Sequence, residues 1–132
     1  PGRPTDALVQ SIDIYPTLAK LCGLTPPKDI DGRTFLDLLN DPSLKGPEYA
    51  ISYNQSYGAP FRGQPRMYAV TLRSRDYRYT QWQKDLGRGD IIFQELYDHR
   101  SDPDEVDNLA AKKPKMIKQF AELLTEHVKA KH

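Results

Sequence analysis

The chain has 132 residues, the size of one domain, with 19 basic against 18 acidic residues and a formal net charge of +1. So even a balance excludes a global field that would draw the chain to nucleic acid or an anionic membrane, and no run of about twenty apolar residues is present to cross a bilayer. Cys22 is the single cysteine, which excludes an internal disulfide.

Pro1-Gly2-Arg3-Pro4 opens the chain without an initiator Met and without a charged-then-apolar leader, the expected look of a piece of a longer chain. From Asp6 to Cys22, the residues Leu8, Ile12, Tyr15, Leu18, Leu21 and Cys22 recur at threes and fours and predict one apolar helical stripe. Pro16 is tolerated only in a first turn, so the helix proper starts near Asp13 or Ile14, and Gly23 ends it as a left-handed residue. After the loop Thr25-Pro26-Pro27, Asp31-Gly32 turns the chain into a short helix, Phe35 to Leu39, which Asn40-Asp41-Pro42 stops.

The period then changes from helical to alternating. Ala50 to Tyr53 is a strand candidate, and Asn54 to Arg66 reads as a long irregular loop. Met67 to Arg73 and Tyr77 to Trp82 alternate on either side of Ser74-Arg75-Asp76, which predicts a hairpin. A polar linker, Gln83 to Asp90, leads to a further strand, Ile91 to Tyr97. Pro114 suits the first position of a C-terminal helix whose stripe is Ile117, Phe120, Leu124 and Val128. The fold class expected is α+β: a small antiparallel sheet of about four strands with the C-terminal helix across one face, preceded by an N-terminal helical segment. Residues 1–45 form the helical segment and 46–132 the sheet and its helix.

Few side-chain groupings point to chemistry. Asp29-Ile30-Asp31-Gly32 brushes against a calcium-loop pattern, but Pro27 and Leu38 stand where that loop needs carboxylates. His99, His127 and His132 are too scattered for a metal set or a catalytic triad and read as surface residues. Lys112, Lys113, Lys115 and Lys118 read as a solvated face that could alternatively contact an anionic sugar polymer. Asp102, Asp104, Glu105 and Asp107, near His99, could bind a metal or form a turn and a helix start; the turn, capped by its own carboxylates, is the simpler reading. Arg73, Arg75 and Arg78 suit sulfate or carboxylate through their guanidinium forks, with Arg73 and Arg75 on one side if the strand continues. The alternative is an ion pair, either internal with Asp76 or with a larger domain of the same protein. No residue is assigned a catalytic or metal-binding role.

Asp13-Ile14-Tyr15-Pro16-Thr17-Leu18, then Leu21-Cys22-Gly23-Leu24, Asp31-Gly32-Arg33-Thr34-Phe35 and Leu38-Leu39 resemble the D-x-x-P-T-L, AG, DG-x-S-L and LL blocks of the sulfatase family. Ala69-Val70-Thr71-Leu72-Arg73 with Tyr77-Arg78-Tyr79 resembles that family's final hairpin. Glu95-Leu96-Tyr97-Asp98, Asp102-Pro103 and Asn108-Leu109-Ala110 resemble its ELYDL-x-x-DP-x-E-x-x-NLA segment. Ser52-Tyr53, Arg78-Tyr79-Thr80 and Trp82 are most similar to the iduronate-2-sulfatase branch.

The resemblance implies the C-terminal region of an enzyme in the alkaline phosphatase superfamily that hydrolyses sulfate esters of sugars, with residues 1–45 belonging to the end of its catalytic domain and 46–132 forming the C-terminal subdomain. It places the formylglycine nucleophile, made from C/S-x-P-x-R, and a calcium ion in a catalytic region outside this chain. Cys22 is not that nucleophile: Leu24 stands where the motif needs Pro and Pro26 where it needs Arg, so a buried structural thiol is expected. No cofactor is expected within the chain itself, which alone should be inactive. Its expected partners are the catalytic domain of the same protein and a sulfated sugar, with Arg73, Arg75, Tyr57 and Arg62 as candidates for the wall of the substrate cleft. The resemblance also implies a secreted, periplasmic or lysosomal location. An apolar patch along Leu8, Ile12, Tyr15 and Leu18 should be exposed, or covered in a dimer of the fragment. The competing readings are a stand-alone glycan-binding module and the same region of a phosphate or phosphonate ester hydrolase.

Overall fold

The computed structural model describes residues 2–56, 67–84 and 90–130. The chain forms two compact units, residues 1–50 and 51–132.

In the first unit a short 3-10 turn over Ser11–Asp13 runs into helix α1, Ile14–Leu21, and a second short helix, α2, covers Leu36–Asn40. Pro16 sits in the first turn of α1, where a missing N–H costs nothing. The helix closes on Cys22 and Gly23, whose φ of 73° is left-handed. The Gly23 N–H donates to the Lys20 carbonyl at 3.0 Å and the Leu24 N–H to the Ala19 carbonyl at 2.8 Å, the paired bonds of a Schellman ending.

The apolar stripe of α1 faces outward, as expected of the patch along Ile12, Tyr15 and Leu18, while Leu8 is half-buried. Its buried residues are Asp13 at the N-cap, Pro16 and Thr17, while Ile14, Tyr15, Leu18 and Leu21 are exposed. Cys22 is exposed as well, which overturns the buried thiol expected from its place at the end of the apolar run. The physical reason is polar anchoring. Asp13 Oδ1 accepts the Arg33 N–H at 2.8 Å and Asp13 Oδ2 accepts the Gln10 N–H at 2.9 Å. The Thr17 hydroxyl donates to the Asp13 carbonyl at 2.6 Å and accepts the Phe35 N–H at 3.0 Å. These bonds turn the polar face of the helix toward the 31–35 segment. Gly32 crosses there so closely that a Cβ would lie 2.0 Å from the Ile12 carbonyl oxygen, so only glycine fits.

The second unit carries a four-stranded sheet in the order β1-β2-β3-β4. The strands are β1, Ala50–Ser56; β2, Met67–Arg73; β3, Tyr77–Gln83; and β4, Ile91–Asp98. The hairpin expected from alternation is present: β2 pairs antiparallel with β3 from Tyr68 opposite Gln83 to Arg73 opposite Arg78. β3 pairs antiparallel with β4, from Tyr77 opposite Asp98, with an irregularity at Trp82/Gln83. β1 is longer than its sequence signal, running on through Asn54 and Gln55, because ladder pairing overrides weak local strand preference.

Helix α3, Pro114–Ala130, lies across one face of the sheet. Phe120, Leu124 and Val128 are buried against that face, whose own core is Val70, Leu72, Tyr79 and Leu96. The Phe120 ring stacks on Tyr79 at 5.9 Å and meets Tyr77 at 6.2 Å. Such pairs add about 0.5–1.5 kcal/mol beyond the area they bury. No helix among the described residues is long and apolar enough to cross a membrane.

Candidate functional site

Side-chain alternation puts Arg73, Arg78 and Tyr97 in one row across the sheet, on the face opposite α3, since they pair in register. The next row is Thr71, Thr80 and Glu95, and the third is Ala69, Trp82 and Phe93. Thr71 and Thr80 share a hydroxyl hydrogen bond of 2.9 Å, a cross-strand tie at the centre of the hairpin.

Arg73 and Arg78 are like charges directly opposite each other, an arrangement that is unfavourable unless neighbours compensate. Arg78 finds its compensation inside the unit. Its guanidinium pairs with Glu105 and stands over the Tyr97 ring, 5.2 Å from the centroid. Glu105 in turn takes His99 Nε2 at 2.5 Å. The bridging carboxylate is held in an unusual backbone state, φ of 58°, the one left-handed non-glycine among the described residues. His99 is therefore a half-buried, paired residue, in contrast to the surface histidine expected; the 99–105 turn folds back until Glu105 reaches it. Arg78 pairs with Glu105, and Asp76, the partner expected from proximity in sequence, stands 3.9 Å from Arg100.

Arg73 Nη1 is shielded from solvent with no hydrogen-bond partner among the described residues, as are Arg78 Nε and Trp82 Nε1. β2 ends at Arg73, so Arg75 does not continue the strand and share its face; it is exposed in the turn closed by the Ser74 N–H on the Tyr77 carbonyl at 2.8 Å. The structure does not bring Arg73 and Arg75 together as one strand-borne fork. Tyr57 and Arg62, the other two cleft candidates, lie outside the described residues.

At the α3 side of the same corner Tyr77 lies between two cations. Arg100 is 4.9 Å and Lys113 5.2 Å from its ring centroid, and the phenol oxygen accepts from both side chains. Asp98 sits beneath, with Arg100 at 2.6 Å and Lys113 at 3.8 Å. The hydrogen bonds from Arg100 hold the Asp98 carboxyl well below the ordinary carboxylate range, and Asp98 raises the Arg100 guanidinium in return. Lys113 thus leaves the solvated basic face expected of it, while Lys112, Lys115 and Lys118 remain exposed.

The acidic stretch forms turns with no helix after it. Asp102 accepts the Asp107 N–H at 2.9 Å and the Val106 N–H at 3.0 Å, and these bonds hold its carboxyl below its ordinary value. Asn108 ties the following segment to the edge of β4: its side chain accepts the Leu96 N–H at 3.1 Å and the Ala110 N–H at 2.9 Å and donates to the Gln94 carbonyl at 3.1 Å. No group of three His, Cys, Asp or Glu side chains among the described residues could hold a metal ion. With no such group among the described residues and no C/S-x-P-x-R run in the sequence, the described residues do not fit a calcium-formylglycine centre, and no chemical step is assigned to them.

Sequence reasoning passed over Tyr77, Asp98, Arg100 and the bridging role of Glu105. Glu105 is the fourth residue of Asp102-Pro103-Asp104-Glu105, so its signal was the DP-x-E spacing itself. The pair Arg78-Glu105, 27 residues apart, leaves no local mark.

The chain is similar to known proteins. The family model described as N-sulphoglucosamine sulphohydrolase, C-terminal, matches residues 1–131. Arylsulfatase K of Xenopus laevis is 27% identical over 122 residues, covering 91% of this chain and 22% of the relative. The ulvan-active sulfatase of Formosa agariphila is 28% identical over 150 residues, covering 91% and 29%. A solved structure, of a protein in complex with its substrate D-glucosamine-2-N,6-O-disulfate, is 27% identical with a TM-score of 0.59 and covers 89% of this chain and 24% of that one. The chain thus spans less than a third of the length of the curated relatives it matches. With the family model matching nearly end to end, and with its blocks locked together by Asp13, Thr17, Glu105 and Asn108, the chain belongs to the N-sulphoglucosamine sulphohydrolase C-terminal family, the C-terminal region of sulfatases.

Proposed function

We propose that this chain is the C-terminal region of an enzyme that hydrolyses sulfate esters of sulfated sugars. The observation that carries the reading is the family match over residues 1–131. The ulvan-active sulfatase and the disulfated glucosamine bound by a structural relative support a sugar substrate. In this reading the nucleophile, as formylglycine, and calcium belong to the rest of the protein, and these residues contribute a stiff wall. The Thr71–Thr80 tie and the Arg78–Glu105–His99 bridge hold the hairpin in one shape, and Arg73 and Arg75 lie at its end. The finer form of the proposal is an iduronate-2-sulfatase-like specificity, supported by Asp76-Tyr77-Arg78-Tyr79-Thr80-Gln81-Trp82, with work in a secreted, periplasmic or lysosomal setting.

The test is turnover by the full-length protein. Release of sulfate from aryl sulfate and from sulfated disaccharides, without release of phosphate from aryl phosphate, is expected. Faster cleavage of the phosphate ester would replace the reading with a phosphohydrolase, and glycan binding without either cleavage would replace it with a binding module. Comparing disaccharides sulfated on the uronic acid at position 2 with those sulfated on glucosamine nitrogen decides the finer form.

A further inference from the structure

We propose that the basic corner at the start of α3 is a surface that binds a polymer of sulfated sugars. Lys112, Lys115 and Lys118 are exposed there. Lys115 and Lys118 stand three residues apart on the helix and point away from Phe120, Leu124 and Val128, its buried side. Lys113 links this strip to Arg100, since both cations stand over the Tyr77 ring. Asp98 is shared between those two, and Asp76 is 3.9 Å from Arg100, which remains 56% exposed. Lys118 meets Glu122 at 4.0 Å on the open helix surface, a pair that holds weakly. Lys112 and Lys115 have no carboxylate partner among the described residues.

The fold itself gains nothing from this cluster. A helix start carries the positive end of the peptide dipoles, so cations there are unfavourable, and α3 has no acidic residue in its first turn to offset them. The partner follows from the outline of the charge. The solvent side of α3 changes sign after Lys118, with Glu122 and Glu126 exposed. The cations thus form a short strip, which an extended anionic chain can cross, whereas a flat anionic membrane would also meet the two carboxylates. No large apolar residue is exposed within the strip to enter a bilayer. Tyr77 is already occupied by Arg100 and Lys113, so the strip offers no aromatic platform on which nucleic-acid bases could stack. The choice of a sulfated sugar among anionic chains rests on the catalytic reading above.

The test compares the full-length protein with its Lys112→Gln/Lys115→Gln/Lys118→Gln variant, using heparin as the polymer. The variant should bind heparin at least about tenfold more weakly, with the slope of log Kd against log salt reduced by about 2, since each cation contributes about 0.7–0.9. Cleavage of a sulfated disaccharide should be unchanged, because a strip that grips a long chain adds nothing to a short one. In the unmodified protein, heparin should slow acetylation of Lys112, Lys115 and Lys118, located by peptide mass spectrometry, but not of Lys28 and Lys45; this arm needs no variant to fold. An unchanged slope with unprotected lysines overturns the proposal, as does an equal loss on the disaccharide. A loss confined to vesicles of phosphatidylserine and phosphatidylcholine, or to single-stranded DNA, also overturns it and reassigns the strip to a membrane or to nucleic acid. A protein that binds heparin through these lysines but releases no sulfate overturns the catalytic reading and leaves this surface standing. Sulfate release from disaccharides without a heparin footprint overturns the surface alone.

Discussion

Asp13 and Thr17 explain why two separated blocks of the sequence resemble one family together. The Asp and Thr of the first block receive the N–H groups of Arg33 and Phe35 in the second, and Gly32 permits the approach. Replacing Asp13 with Ala leaves the Arg33 and Gln10 N–H groups without their acceptor. A loss of about 1–3 kcal/mol is expected, read from the urea midpoint. Asp98 makes the sign of a pH effect plain. Its folded carboxyl titrates below the ordinary range because Arg100 holds it charged, so its contribution is fully present above about pH 4 and falls away as acid protonates it. Asp98→Asn should therefore flatten the acid limb of a stability-against-pH curve; an unchanged limb would remove the Arg100 pairing from the account. Arg100 and Lys113 are drawn to this carboxylate although neither has a sequence pattern that announces it.

Among the elements, β4 is one of the two outer strands of the sheet, and its edge groups need partners. Asn108 supplies two hydrogen bonds there, from the Leu96 N–H and to the Gln94 carbonyl, and the Leu109 N–H adds one to the Leu96 carbonyl at 2.8 Å. The Asn-Leu-Ala run is thus an edge cover. Asn108→Ala should expose Gln94 to Leu96 to faster amide exchange and cost about 1–3 kcal/mol. The hairpin, α3 and the limits of β3 and β4 were legible to within a residue or so, because alternation against one buried face and a Pro-started amphipathic stripe are strong local signals. The α1 stripe was expected to be exposed, and Ile12, Tyr15 and Leu18 are, but the polar anchoring by Asp13 and Thr17 that turns it outward was not legible. Periodicity reports that a helix has an apolar side, but it cannot report which side its own unit covers. Cys22 was misplaced for the same reason, and His99 because its partner Glu105 depends on a left-handed turn residue.

For the whole protein, the candidate site was legible only in part. Arg73 sits where alternation puts it, on the hairpin's face opposite α3, but Arg75 left the strand, and Tyr57 and Arg62 fall outside the described residues. On the proposed function, Arg73→Ala in the full-length protein should lower sulfate release by displacing or loosening the proposed cleft wall. A change in KM or kcat with unchanged melting would place Arg73 at the substrate, a parallel fall in melting temperature would make it a support, and no change in either would remove it from both roles. The sequence by itself determined the order of elements, the pairing of the hairpin and the family, since these rest on local period and on blocks read in order. Tertiary structure alone decided that Asp13 and Thr17 point inward and that Glu105 joins Arg78 to His99. Those outcomes depend on groups distant in sequence meeting in space, where a few buried hydrogen bonds outweigh the preference of an apolar stripe for its own core.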